Sequence, residues 1–130
     1  MKIIFGFPPN YAELNARFKI RGKTVFISYA DRIYSPMKVQ PPPEIIAHEK
    51  VHGRRQLAIP HGPAMWWKKW VDDPAFRLGE ELLGHKAELA FFGNPTNAQI
   101  DDVARRLSGP LYGNLISFRD ARTLLVGNQG

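Results

Sequence analysis

The chain has no cysteine, which excludes disulfides and thiolate metal ligands together, so any bound metal must be held by nitrogen and oxygen. It has no apolar run approaching the ~18 residues of a membrane-spanning helix, and no integral membrane segment is expected. The opening MKIIFGFPPN is interrupted by Pro8-Pro9 after too short an apolar stretch for a signal peptide. The product is therefore expected to stay in the cytoplasm where it is made. Internal repeats, heptads and a glycine-rich phosphate loop are lacking too, which removes solenoids, coiled coils and the P-loop from consideration. Acidic residues are the minority: 12 Asp and Glu stand against 18 Lys and Arg, a net charge of +6. Such a surface attracts acidic peptides, nucleic acid or anionic lipid, a leaning that identifies no partner by itself.

What is present suits one α+β domain over residues 1–130, since 44% of the residues are hydrophobic and 23% charged. KIIFGF at residues 2–7 has strand composition, and Asn10 could cap a short helix through YAELNARFKI. Alternation predicts a strand from Lys23 to Tyr29 and a second, short one from Arg32 to Tyr34. The Pro41-Pro42-Pro43 run then leads into a helix that should end by Pro60, with a turn at His61-Gly62-Pro63. Ala64 to Val71 reads as a helix whose Trp66, Trp67 and Trp70 cover the core. Asp73 as cap and Pro74 as first residue open a long helix to Phe92, and Asn94-Pro95 repeats the device for a helix through Leu107. Ser117 caps a last helix with Phe118, Ala121, Leu124 and Leu125 inward, and 127–130 form a frayed tail. The pairs Arg54-Arg55 and Arg105-Arg106 are expected on solvated faces.

Within the first long helix stands His48-Glu49-Lys50-Val51-His52. Residues four apart lie one above the other on a helix, so both imidazoles can meet one cation, with Glu49 beside them as a general base. A shuffled chain of this composition yields the pattern with an expectation of roughly 0.006. A hydrolytic zinc takes three protein ligands and keeps one position for water, so a third ligand is needed. The downstream candidates are His61, Asp72, Asp73, Glu80, Glu81, His85 and Glu88. Glu81 shares a stripe with Leu78, Leu82, His85 and Leu89, while Glu80 lies among Phe76, Leu83, Ala87 and Phe91. Periodicity leaves both open.

The motif followed by a helix carrying a glutamate resembles the gluzincin metallopeptidases, in which the glutamate ligand is commonly followed by a small residue three positions on and a polar one four positions on. Glu81-Leu82-Leu83-Gly84-His85 has that spacing and Glu80 does not. More closely, the chain resembles small phage- or prophage-encoded minimal gluzincin-like proteins. The resemblance rests on FISYADRIYSP, WWKKWVDDPAFRLGEELLGHKAE and RRLSGPLYGNLIS, and spans Val25 to Ser117. It departs at His85, where Tyr or Asp is common, and at Gly84, where Ala is common.

The resemblance implies a compact zincin-like domain, with short antiparallel strands packed on an active-site helix and a ligand helix. It also implies Zn(2+) held by His48, His52 and Glu81, hydrolysis of peptide bonds with Glu49 as base, and, for a phage product, a place in the host cytoplasm. An edge strand through Tyr29 or Ile33 could line the cleft and pair with substrate. His85 could orient a ligand, and Tyr112 or His61 could face the oxyanion. Two other readings stand beside the peptidase: a catalytically inactive, zinc-stabilised structural or interaction protein, and a basic nucleic-acid-binding module.

Overall fold

The computed structural model describes residues 1–127. The tail expected at 127–130 therefore lies outside the described residues from Asn128 onward. The architecture is α+β: six α-helices, one 3-10 turn and one three-stranded sheet among the described residues.

Strand β1 (Lys2–Ile4) stops short of Pro8-Pro9, whose rings cannot donate to a ladder, and α1 (Tyr11–Phe18) follows. Asn10 precedes α1 but makes no side-chain capping bond. β2 (Ile27–Tyr29) and β3 (Arg32–Tyr34) form a hairpin around Ala30, which adopts positive φ. The sheet order is β1-β3-β2, with β1 parallel to β3 and β2 antiparallel to it. The sheet is thus mixed rather than wholly antiparallel as expected, and Ile33 sits on its central strand. The long strand expected from Lys23 shortens to Ile27–Tyr29, leaving Thr24–Phe26 outside the ladder.

Helix α2 (Pro43–Ala58) begins with Pro at its first position, where the missing N–H costs nothing. Gly53 lets α2 lie directly on the hairpin, because a Cβ there would run into the Ala30 carbonyl oxygen. Gln56 strengthens the junction by accepting from Ala30 N at 2.7 Å and donating to Ser28 O at 3.2 Å. Helix α3 (Gly62–Asp72) starts earlier than expected, absorbing Gly62-Pro63 into its first turn. Helix α4 (Pro74–Phe92) is capped by Asp73, whose carboxylate accepts from the N–H groups of Ala75 and Phe76.

Helix α5 (Asn97–Leu107) is capped by Thr96 rather than Asn94: Thr96 and Gln99 exchange side-chain and backbone bonds in a capping box. After a 3-10 turn (Pro110–Tyr112), Ser117 caps α6 (Phe118–Val126) by accepting from Asp120 N. Ala121 and Leu125 face inward, whereas Phe118 and Leu124 are exposed, contrary to expectation.

Two apolar clusters result. One gathers Leu14, Ile20, Val25 and Ile27 around Trp66, Trp67 and Trp70; the other joins Leu89 to Val103, Leu107 and Leu125. The three indoles are core residues, each ring burying on the order of 150–250 Å². No helix among the described residues is long and apolar enough to cross a membrane. The paired α2 and α4 run between the two clusters, and the polar side chains buried there form the site.

Candidate metal centre

Helical spacing brings His48 and His52 to one face of α2, and their Nε2 atoms stand 2.9 Å apart. From α4, Glu81 reaches both: its Oε1 is 3.1 Å from His48 Nε2 and its Oε2 is 2.9 Å from His52 Nε2. Glu49 Oε2 lies 3.5 Å from His48 Nε2 on the same side. All four residues are buried. They lie on the wall of a cavity of about 470 Å3 whose other walls include Leu14, Phe18, Val25, Trp67 and Leu111.

The helix–helix approach is close because residue 84 has no side chain. A Cβ there would stand 2.6 Å from His48 Nε2 and 2.7 Å from its Cδ2, inside any tolerated contact. Gly84 therefore makes room for the imidazole that Glu81, one turn earlier, contacts.

Two of the three donors are oriented from behind. His48 Nδ1 donates to Glu88 Oε2 at 2.6 Å, which fixes the tautomer that leaves Nε2 free to coordinate. Trp70 Nε1 donates to Glu81 Oε2 at 3.0 Å. Glu88 also accepts from His85 Nδ1 at 2.6 Å and from Arg106 at 2.6 Å, so its carboxylate is held by three donors. Because His85 Nδ1 carries its proton toward Glu88, His85 Nε2 is the acceptor for the Tyr112 hydroxyl at 3.1 Å. The backbone carrying Tyr112 is held in turn by Arg77, which donates to Tyr112 O at 2.9 Å and to Trp70 O at 2.8 Å.

Burial and charge act against each other here. Burial alone would raise the Glu81 carboxyl, but the facing imidazoles of His52 and His48 hold it well below the usual range. Glu88 is likewise lowered despite burial, by its bonds to His48 and His85. Burial pushes Glu49 up, with His48 and His52 offsetting part of the shift. For His48, burial disfavours the cation, yet Glu49, Glu81 and Glu88 together raise its pKa well above the ordinary imidazole value. Burial lowers His85 and raises the Tyr112 phenol. Three carboxylates thus face His48 and hold its imidazole toward the cationic form.

The donor set fits a divalent cation. Ligand atoms around a tetrahedral zinc, with bonds of ~2.0–2.1 Å, stand about 3.3 Å apart, close to the 2.9–3.1 Å separations of His48, His52 and Glu81. His52 Nδ1 is buried without a hydrogen-bond partner, so this ring lacks the support that His48 draws from Glu88.

The structure brings His48, Glu49, His52, Glu81, His85 and Tyr112 together. It does not bring in His61, which is exposed at the head of α3 and does not line the cavity. Glu80, the rival to Glu81, is committed elsewhere: it accepts from Trp66 Nε1 at 3.1 Å and pairs with Arg55. Arg55 and Arg106 are thus partners of buried carboxylates rather than free on solvated faces. Glu88, which periodicity did not single out, is the acceptor that organises the cluster; its seven-residue spacing from Glu81 places it on the same face of α4. Comparison with family models, with curated proteins and with solved structures gave no match.

Proposed function

We propose that the protein is a zinc-dependent metallopeptidase of the minimal gluzincin type, with a zincin-like fold. The observation that carries this reading is the meeting of His48 Nε2, His52 Nε2 and the Glu81 carboxylate within 2.9–3.1 Å of one another on a cavity wall, with Glu49 beside them. Bound there, zinc would polarise a water and the substrate carbonyl.

The chain's own residues supply the rest. Glu49, raised by burial, takes the proton of the attacking water and passes it to the leaving amine. Glu88 and Trp70 hold His48 and Glu81 in their donating orientations. Edge strand β2 is already engaged at Ser28, whose carbonyl accepts from Gln56 and Trp67. Thr24–Phe26, just before it and outside the ladder, lines the cavity and is the stretch that an extended peptide would meet.

One observation favours a second reading, a zinc-stabilised protein without turnover. The Tyr112 hydroxyl is engaged by His85 Nε2 at 3.1 Å, so it would have to give up that partner to donate to an oxyanion. Elemental analysis of the purified protein against His48→Ala, with cleavage of a mixed peptide library with and without chelator, separates the two. Stoichiometric zinc with chelator-sensitive cleavage supports the peptidase; stoichiometric zinc with no cleavage supports the structural role.

A further inference from the structure

The positive charge is unevenly placed along the chain. Seven Lys and Arg but only two Asp and Glu fall within residues 1–40, so that stretch holds five of the six net charges. It also holds a second cavity of about 440 Å3, walled by Phe7, Tyr11, Ile20, Pro36 and Met37 and edged by Arg21 and Lys23. Phe7 is 62% and Met37 46% exposed, large apolar surfaces left open to solvent. Ile20 and Lys23 line both cavities, so this one adjoins the space that contains His48 and Glu49. Thr24–Phe26, outside the ladder, runs on from Lys23 along the first cavity.

The polar lining has one sign where it is exposed. Among the described residues, the only carboxylates lining either cavity are the buried Glu49, Glu81 and Glu88, while Arg21, Lys23 and Arg105 are exposed. Arg106 is occupied by Glu88 and Asp102. A chain lying along Ile20–Phe26 would thus meet an aromatic and aliphatic pocket flanked by cations. Resting on the peptidase reading, we infer that this second cavity is a substrate subsite, and that the substrates are extended peptides in which an apolar side chain is bordered by acidic residues. The apolar side chain fills the space between Phe7 and Met37, and the acidic neighbours face Arg21 and Lys23.

The test compares two labelled short peptides, one with a phenylalanine flanked by glutamates and its twin with lysines in their place. Binding to the zinc-loaded Glu49→Gln protein is followed by fluorescence anisotropy. Exposed ion pairs are individually weak, so the acidic peptide should bind about tenfold more tightly, and added salt should shrink the difference. The Arg21→Glu/Lys23→Glu variant should abolish the preference, and Phe7→Ser should weaken both peptides, with zinc content and melting temperature unchanged. Equal affinities, a preference that survives the double charge reversal, or equally tight competition by a single-stranded oligonucleotide would overturn the inference. Failure of the wild type to cleave either peptide would instead count against the peptidase reading, because the binding comparison is decided without turnover.

Discussion

Glu88 Oε2 and His48 Nδ1 are 2.6 Å apart in the space between α4 and α2. The same oxygen accepts from His85, and the other from Arg106, so one fully buried carboxylate joins the His48 imidazole to His85 and to α5. His85, at a position where the resembling family commonly places Tyr or Asp, shares the acceptor of His48 and packs edge-on against its ring, with centroids 4.6 Å apart.

Replacement Glu88→Gln keeps the shape but puts an amide N–H2 opposite either Arg106 or the two imidazoles, and removes the charge that supports the His48 Nδ1 proton. Zinc affinity, measured by competition with a chromophoric chelator, is expected to fall about 10–100-fold. Wild-type affinity in this variant would mean that His48 needs no such support.

Glu49 touches none of these supporting groups, so Glu49→Gln isolates proton transfer. Peptide cleavage should drop by about 10²–10⁴-fold while zinc stoichiometry stays at the wild-type level. Retained activity would remove Glu49 from the role of base.

The two glycines of α4 make opposite predictions from one substitution. At Gly84 an added methyl would stand 2.6 Å from His48 Nε2, so Gly84→Ala must push the imidazole or the helices apart, at about 1–3 kcal/mol and with weakened zinc binding. At Gly79, an exposed position of the same helix, nothing lies within 4 Å of the added carbon, and Gly79→Ala should stabilise the protein by up to about 1 kcal/mol. Denaturant unfolding of the two variants side by side checks the contrast.

How much of this was legible depended on whether a local rule or a distant partner decided the outcome. Pro43, Asp73-Pro74 and Ser117 act within their own helical turns, and the starts of α2, α4 and α6 followed from them. Asn94-Pro95 looked like the same device, but the reciprocal bonds of Thr96 and Gln99 moved the start of α5 two residues on. Periodicity could not choose between Glu80 and Glu81 because both face inward. Their difference is that Trp66 and Arg55 claim one while Trp70 and the two imidazoles claim the other. Arg55 and Arg106 read as solvated because their stems are long; each carries its charge back to a buried carboxylate. The parallel pairing of β1 with β3 joins residues thirty apart, and no turn between them announces it.

The opposed shifts within the cluster predict how pH and zinc act together. In the metal-free protein Glu81 and Glu88 are held below the ordinary carboxylate value of 4.5, so the stability they contribute is present above that value and lost as pH falls through their lower folded values. His85, lowered from 6.5 by burial, likewise costs stability as acid forces its protonation. His48 has the opposite sign: raised well above 6.5 by its carboxylate neighbours, it contributes fully below 6.5 and loses that contribution as pH rises through its folded value. Glu49, raised from 4.5, also favours the acid side. The chelator-treated protein should therefore show a melting temperature that falls in acid and falls again in alkali. Zinc takes the Nε2 lone pair that a proton would otherwise hold, so the melting-temperature gain on adding zinc should grow as pH rises from about 5 to 8. Thermal unfolding across that range, with chelator and with zinc, reads both limbs, and a zinc-induced gain independent of pH would show that His48 does not exchange its proton for the metal.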